Sequence, residues 1–240
     1  MRKERPLIWA AVPAAGVGRR MGAARPKQYL PLADSTVIQY AIGRLLALEK
    51  LQGLVVAVAS GDVWWPELEW GDTPLAEKIM VVEGGKERSD SVLNCLEVLL
   101  QHGSESDWVL VHDAARPCLS GDALEKMVHE LWDHPVGGVL AAPLADTIKR
   151  SDSGLDIVET IDRATLWRAL TPQMFRLGAL REALQQSVAN EVAVTDDSQA
   201  IERLGLRPQL VHGDAGNMKI THPGDILLAE EILRRERGEG

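Results

Sequence analysis

Residues 7–21 read LIWAAVPAAGVGRRM, and this stretch decides the fold. Its first part, Leu7 to Val12, is short, apolar and partly β-branched, which predicts a buried central strand. Gly16 and Gly18 follow within six residues, so a loop begins at the carboxyl end of that strand, where open α/β sheets bind ligands. Small residues there let backbone N–H groups approach phosphate oxygens. The stretch therefore predicts a phosphate-binding loop containing Pro13, Ala14, Ala15, Gly16 and Gly18.

Cationic side chains accompany this loop and distinguish it from two better-known glycine motifs. No Lys-Ser/Thr pair follows Gly18, as a Walker loop would need, and Met21 stands where a dinucleotide fingerprint has a small residue. The loop's arginines, together with Lys27, suit a triphosphate whose charge is neutralised during a reaction. The alternative is an ordinary turn with surface arginines, which the nearby segment Pro26–Tyr29 disfavours.

Composition excludes several classes of protein. The chain has 240 residues, 45% of them hydrophobic, and a formal net charge of −9, which argues against a general nucleic-acid binder. No segment has the pattern of a signal peptide or the length of a membrane span. Cys95 and Cys118 are too few for a disulfide framework, and the six histidines lack zinc-site spacing. We expect a cytoplasmic protein without a nucleic-acid or membrane partner.

Strand and helix patterns alternate along most of the chain, which predicts a mostly parallel sheet with crossover helices. The expected fold class is α/β: a single domain over residues 1–240 with a Rossmann-like twisted sheet flanked by helices. Further strands are expected at 54–59, 79–82, 108–112, 137–142 and 218–221. Helices are expected at 37–46, 89–100, 122–132, 177–187, 196–204 and from Pro223 onward.

The alternation breaks at about residues 143–163. Two extended runs, 146–150 and 155–160, flank the turn-forming sequence Ser151-Asp152-Ser153-Gly154, which predicts a β-hairpin. An isolated hairpin is marginally stable in water, so this β-arm is expected to pack against a second copy of the chain and form a homodimer. The alternative is a hairpin folded back over its own sheet.

With these motifs, the chain resembles the 2-C-methyl-D-erythritol 4-phosphate cytidylyltransferases of the non-mevalonate isoprenoid pathway, within the nucleotidyltransferase superfamily. The resemblance runs almost from end to end. Lys86 and the pair Ser198-Gln199 depart from the usual family pattern. The matching segments are 13–21, 26–29, Gly84-Gly85 with Arg88 and Ser91, 111–117, 146–149, Asp162-Arg163, 170–173, 195–197, and Asn217 with 219–221.

The resemblance implies a reaction. A phosphate oxygen of the methylerythritol substrate would attack the α-phosphorus of CTP, with Mg²⁺ bound to the triphosphate, and pyrophosphate would leave. Arg20 and Lys27 would stabilise the five-coordinate transition state, and Arg163 and Lys219 would position the attacking phosphate.

Further roles follow from the same resemblance, position by position. Ala14, Ala15, Gly85 and Ser91 would select cytosine, while Pro13, Gly16 and Gly18 belong to the CTP-binding loop. Asp113, Ala114 and Arg116 would lie between the ribose and the second substrate, with Asp113 also a candidate ligand of Mg²⁺. Hydroxyl contacts to that substrate would come from Thr147, Thr171 and Thr195. Thr147 and Arg163 flank the β-arm and would act from the partner subunit if the arm is exchanged.

Two alternatives stay open at this point. One is a cytidylyltransferase for another polyol phosphate, such as ribitol 5-phosphate. The other is a catalytically silent nucleotide-binding module, which the presence of Arg20, Lys27, Arg163 and Lys219 together disfavours.

Overall fold

The computed structural model describes residues 6–16, 25–70 and 76–238. Its strands are β1 (Ile8–Pro13), β2 (Pro31–Leu32), β3 (Ser35–Thr36), β4 (Leu51–Val58), β5 (Ile79–Glu83), β6 (Trp108–Val111), β7 (Gly137–Pro143), β8 (Ile148–Ser151), β9 (Ile157–Ile161), β10 (Trp167–Arg176) and β11 (Gln209–His212). Its helices are α1 (Val37–Leu46), α2 (Arg88–Leu99), α3 (Gly121–Leu131), α4 (Leu177–Ala189), α5 (Asp197–Arg203) and α6 (Gly224–Glu236).

Seven strands form one sheet in the order β11-β7-β10-β6-β1-β4-β5. All are parallel except β10, which runs antiparallel to both of its neighbours. The parallel strands β1, β4 and β6 therefore present their carboxyl ends at the same edge. This arrangement confirms the predicted α/β fold class.

Alternating side chains of β1 enter different hydrophobic cores. Ile8, Ala10 and Val12 pack with residues of α1 and α3, whereas Trp9 and Ala11 pack with residues of α2 and α4. Because β1 is covered on both faces, its sequence is a continuous apolar run rather than an alternating one.

Side chains cap several helices. The Thr36 hydroxyl accepts a hydrogen bond from the backbone N–H of Gln39 at the start of α1, and Ser120 accepts one from Ala123 at the start of α3. Such caps satisfy backbone donors that have no partner within the helix. Of the helices in the described ranges, none is both long and apolar enough to cross a membrane.

The predicted strand at 218–221 is wrong. The segment joins no β-ladder: the N–H of Ile220 donates to the carbonyl of Ala115 (2.8 Å), and the Ile220 side chain is buried. Its alternation of polar and apolar residues corresponds to the burial of Ile220 between exposed Lys219 and half-buried Thr221. The last strand of the described chain is β11, which the sequence analysis did not predict.

The predicted hairpin is confirmed as β8 and β9, within two residues of the expected bounds. These strands pair only with each other, as a separate two-stranded sheet. Residues 149–160 are all exposed, including the apolar Leu155, Ile157 and Val158. The hairpin therefore does not fold back over the seven-stranded sheet.

Candidate active site

A cleft of about 750 Å³ opens at the carboxyl edge of the sheet, beside β1 and β6. Most of the residues expected to bind CTP line it, and so do two of the expected catalytic cations. These residues are Pro13, Ala14, Ala15, Gly16, Gly85, Ser91, Asp113 and Ala114, with Lys27 and Lys219.

Other predicted site residues lie elsewhere. Gly18 and Arg20 fall outside the described residues. The exposed Thr147 and Arg163 lie at the two ends of the hairpin, where the Arg163 guanidinium donates to the carbonyl of Ala145. Thr195 is also exposed, and its N–H and hydroxyl both donate to the side-chain carbonyl of Gln199. None of the three described side chains lines the cleft of this single chain.

Asp113 lies two residues after the end of β6 and is the electrostatic centre of the cleft. Its Oδ1 accepts a hydrogen bond from Arg88 Nε at 3.0 Å. Its Oδ2 lies 2.8 Å from Lys219 Nζ and 3.6 Å from Arg116 Nε. Burial alone would raise the pKa of the Asp113 carboxyl, but the charges of Arg88, Lys219 and Arg116 outweigh burial and hold the pKa well below its usual range. The carboxylate is therefore ionised at neutral pH.

A buried hydrogen-bonded chain fixes the backbone at Asp113. The Asp113 N–H donates to Thr171 Oγ1 (3.1 Å), which lies 3.0 Å from His112 Nδ1. His112 Nε2 lies 3.0 Å from the carbonyl of Arg116, which can only accept, so Nε2 carries the proton and Thr171 donates to Nδ1. Burial lowers the pKa of His112 to about 4, so the ring is neutral at physiological pH. Both ring nitrogens and the Thr171 hydroxyl are thereby satisfied.

Thr171, predicted to contact the second substrate, is only 4% exposed. Its hydroxyl is committed to His112 and Asp113 within the protein. Arg116, predicted beside the same substrate, is held on one side by Asp113 and donates from Nη1 to the carbonyl of Asn217 (2.8 Å). The structure thus brings both residues to the rear of the cleft as supports for Asp113.

A short 3₁₀ turn, Lys27–Tyr29, brings a second cation to the cleft. Lys27 Nζ donates to the carbonyl of Ile220 at 2.9 Å, next to Lys219 in the chain. Two residues on, the Tyr29 hydroxyl donates to Asp62 Oδ2 at 2.8 Å. The turn and the 219–221 segment are far apart in sequence, so the fold is what brings these two lysines to one site.

The predicted cytosine-selecting residues meet at the far side of the cleft. The Gly85 N–H donates to Ser91 Oγ (3.1 Å), and Ser91 in turn donates to the carbonyl of Glu87 (3.2 Å). A Cβ on Gly84 would lie 2.4 Å from the Cβ of Ala15, closer than side chains can approach. Gly84 therefore lets the end of β5 pack directly against the loop after β1.

Arg88 belongs to one of the matching segments, but its sequence context predicted no role for it. Its Nη2 donates to Asp197 Oδ2 at 2.8 Å while its Nε contacts Asp113, so it joins the beginnings of α2 and α5 to the end of β6. Asp197 is completely buried. Its position within the motif Thr195-Asp196-Asp197 was visible in the sequence, but its partner was not.

A resident metal ion does not fit the described residues. Within the described ranges, no group of three or more histidine, cysteine, aspartate or glutamate residues could hold a metal. Both oxygens of Asp113 already face cations. A magnesium ion at Asp113 would have to displace Lys219, so a metal that arrives on the nucleotide suits this cleft better than one held by the protein.

The cleft combines a small-residue loop, cations on separate segments and an ionised aspartate, a set suited to holding two phosphorylated substrates together. Residues 8–235 match the sequence model of the family described as 2-C-methyl-D-erythritol 4-phosphate cytidylyltransferase. A protein of that name from Pseudomonas putida is 50% identical over 222 residues, which cover 92% of this chain and 93% of that protein. Another from Hahella chejuensis is 47% identical and covers 97% and 95%, respectively.

Solved structures agree with this assignment. The crystal structure of 2-C-methyl-D-erythritol 4-phosphate cytidylyltransferase from Francisella tularensis has a TM-score of 0.80 and 31% identity, covering 94% of this chain and 99% of that one. A 4-diphosphocytidyl-2C-methyl-D-erythritol synthase structure has a TM-score of 0.81 and 35% identity, covering 96% and 100%. The cleft, the family match and these likenesses together show that the chain belongs to the 2-C-methyl-D-erythritol 4-phosphate cytidylyltransferase family.

Proposed function

We propose that this protein joins CTP and 2-C-methyl-D-erythritol 4-phosphate to give 4-diphosphocytidyl-2-C-methyl-D-erythritol and pyrophosphate. The observation that carries this proposal is the convergence of Lys27, Lys219 and Asp113 on one cleft lined by the small-residue loop 13–16. The family match names the second substrate and the cytidylyl transfer. No feature of the described residues favours ribitol 5-phosphate or a silent module.

The chemistry is a substitution at phosphorus. An oxygen of the substrate's phosphate forms a new bond to the α-phosphorus of CTP, the bond from that phosphorus to the bridging oxygen of the β-phosphate breaks, and pyrophosphate leaves. The attacking phosphate is already an anion, so no general base is needed. Catalysis then consists of aligning two anions and stabilising the charge that develops at the α-phosphorus.

Different cations are proposed to act on the two phosphate groups. Lys27, with Arg20 from the glycine loop, is proposed to stabilise the transition state at the α-phosphorus, and Lys219, with Arg163, to hold the attacking phosphate. The ion pair with Asp113 holds the Lys219 side chain at the cleft until the substrates arrive. The contacts proposed for Thr147 and Thr195 with the second substrate, and for Ala114 near the ribose, complete the substrate site, while Thr171 and Arg116 are proposed to act through Asp113.

Magnesium is proposed to enter as part of the nucleotide, so the true substrate is Mg²⁺-CTP. The ligand role that the resemblance implied for Asp113 is not part of this proposal, because both of its oxygens already face cations. A homodimer formed through the hairpin is proposed because β8 and β9 are exposed and have no other strand partner in the described chain. A cytoplasmic location is proposed because Cys95 and Cys118 are both unpaired thiols.

Pyrophosphate release tests the proposal, with wild type and Lys27→Ala assayed against 2-C-methyl-D-erythritol 4-phosphate and ribitol 5-phosphate in parallel. We expect turnover with the first substrate, and a loss of roughly 10²–10³ in kcat in the variant, as for removal of one preorganised donor to a developing negative charge. Faster turnover with ribitol 5-phosphate would overturn the substrate assignment. Exposed Lys126→Ala, on α3, is the control and should keep its kcat, because Lys126 lies outside both the cleft and the hairpin.

A further inference from the structure

Gln28 lies between Lys27 and Tyr29 in the 3₁₀ turn and is only 4% exposed. Its side-chain Nε2 donates two hydrogen bonds to the loop after β1, one to the carbonyl of Ala14 at 2.6 Å and one to the carbonyl of Gly16 at 3.1 Å. The opposite orientation of this amide would place Oε1 against two carbonyl oxygens, so the donor assignment follows from the acceptors. Both N–H groups of the Gln28 side-chain amide therefore donate to the same loop.

These bonds set the direction of the loop's peptide groups. In a trans peptide the C=O and the following N–H point to opposite sides. Because the Ala14 carbonyl faces Gln28, the N–H of Ala15 points away from it. The N–H of Ala14 is tied separately to the carbonyl of Ala57 at 2.7 Å, so this part of the loop is held from both sides.

The Ala15 N–H has no acceptor among the described residues, and Ala15 lines the cleft. An unpaired backbone donor beside a cleft can be satisfied by a ligand that carries acceptor atoms, such as a phosphate or a pyrimidine edge. Losing the Gln28 donors would leave the carbonyls of buried Ala14 and of Gly16 without these partners, and the peptide groups could then rotate to find others.

We propose that Gln28 is a positioning residue for nucleotide recognition: by holding the carbonyls of Ala14 and Gly16, it orients the Ala15 N–H toward CTP. This inference rests on the proposed function for the identity of the nucleotide. Gln28 acts on CTP affinity through the loop, and it has no direct role toward the polyol phosphate.

Two substitutions separate this role from simple support of the fold. Gln28→Met removes both donors while keeping the length of the side chain. Gln28→Glu also removes them when ionised, but a protonated carboxyl restores one donor. Burial beside two carbonyls raises the pKa of such a carboxyl above its usual value of about 4.3. The Glu variant should therefore recover partly on acidification, which a packing defect would not.

The primary measurement is the Kd of Mg²⁺-CTP by calorimetry for each full-length variant between pH 8 and pH 6. At pH 8 we expect the Kd of both variants to be about tenfold or more above that of wild type, because a buried acceptor is left unpaired. The Kd of Gln28→Glu divided by the Kd of wild type should fall as the pH falls, whereas the same ratio for Gln28→Met should not. The KM for the polyol phosphate should stay within about twofold of wild type, a factor well below that expected for a lost hydrogen bond.

Gln39 provides the matched control, because its Nε2 also donates to a backbone carbonyl, that of Glu69 at 2.8 Å, but outside the cleft. Gln39→Met and Gln39→Glu should leave CTP affinity unchanged at every pH. The inference is overturned if both Gln28 variants bind CTP like wild type, or if Gln28→Glu shows no recovery at pH 6. A wild type that binds CTP without transferring it would defeat the proposed function alone, since CTP binding still decides the role of Gln28.

Discussion

At the residue scale, His112 shows how a buried neutral side chain can organise a charged site. It accepts from Thr171 at Nδ1 and donates to the carbonyl of Arg116 from Nε2, and Thr171 accepts from the Asp113 N–H. Protonation at Nδ1 would remove the acceptor and place a cation beside Arg116. The His112 ring must therefore be neutral if the hydrogen bonds that hold the backbone at Asp113 are to form.

This requirement predicts a pH-dependent stability. Because the pKa of His112 is about 4 in the folded state and about 6.5 when unfolded, the unfolded chain binds more protons between these values, and stability is lost as the pH falls through that window. His112→Gln should reduce the slope of the unfolding free energy against pH there by up to about 1.4 kcal/mol per pH unit. Urea unfolding at several pH values measures this slope.

Exposed Gln101 supplies the control, since Gln101→Ala removes no titratable group and should leave the slope unchanged. If His112→Gln and wild type lost stability in parallel from about pH 6.5 to about pH 4, the titration would have to be assigned to other groups.

Single residues also mark what could be predicted from the sequence. Lys27, Asp113 and Lys219 were assigned to one site from their motifs, and all three line the cleft. The roles of Gln28 and Arg88 were not predicted, because each depends on partners elsewhere in the sequence that only the folded chain brings together.

At the element scale, Arg88 links the beginnings of α2 and α5 to the end of β6. Burial disfavours its charge, but Asp197 and Asp113 outweigh burial and hold the pKa of Arg88 above its usual value. Asp197 is fully buried, and burial raises the pKa of its carboxyl although Arg88 opposes this. The pair thus fixes two helix starts relative to the strand that carries Asp113.

Breaking this link should destabilise the fold in a way that acid reverses. Arg88→Met leaves the Asp197 carboxylate buried without its cation, which should cost about 3–5 kcal/mol of unfolding free energy at pH 7. The pKa of Asp197 would then rise further, so its folded-state pKa lies above the unfolded one, and the loss of stability relative to wild type should shrink as the pH falls. Urea unfolding of the variant at pH 7 and pH 5 measures both effects.

A matched double variant isolates the buried pair. Arg88→Met with Asp197→Leu should be more stable than Arg88→Met alone, because no uncompensated charge remains at Asp197. An Arg88→Met protein as stable as wild type at pH 7 would contradict the linking role.

Elements were predicted well where burial was regular. The apolar runs of β1, β4 and β6 and the amphipathic α1 were found because sheet and helix periodicities are local properties. The segment 218–221 was mistaken for a strand because its alternation reflects contact with Ala115 and the hydrophobic cluster beside α6, not a β-ladder. The order in which strands pair and the antiparallel direction of β10 depend on tertiary contacts. The periodicity of the sequence carries no information about those contacts.

At the scale of the whole molecule, one chain contains only part of the proposed site. The cleft holds Lys27 and Lys219, whereas Thr147 and Arg163 lie at the ends of the exposed hairpin and do not line it. Leu155, Ile157 and Val158 expose apolar surface on the same hairpin. A homodimer in which each hairpin reaches the partner's cleft would cover this surface and complete both sites.

Mixed dimers test this arrangement directly. Lys27→Ala and Arg163→Ala should each be nearly inactive alone, but a heterodimer of the two would contain one site with both groups intact. Random reassortment of equal amounts should therefore restore about a quarter of the wild-type activity, since half of the dimers are mixed and half of their sites are intact. Pyrophosphate release after co-expression with two different affinity tags measures the recovery.

Lys27→Ala mixed with Lys219→Ala is the matched control, because both residues lie in the cleft of the same chain, and each site of that heterodimer lacks one of them. It should recover nothing. If Lys27→Ala with Arg163→Ala were equally inactive in a purified heterodimer, Arg163 would have to act within its own chain. The hairpin would then have to bend toward its own cleft, and its exposed apolar residues would need another explanation.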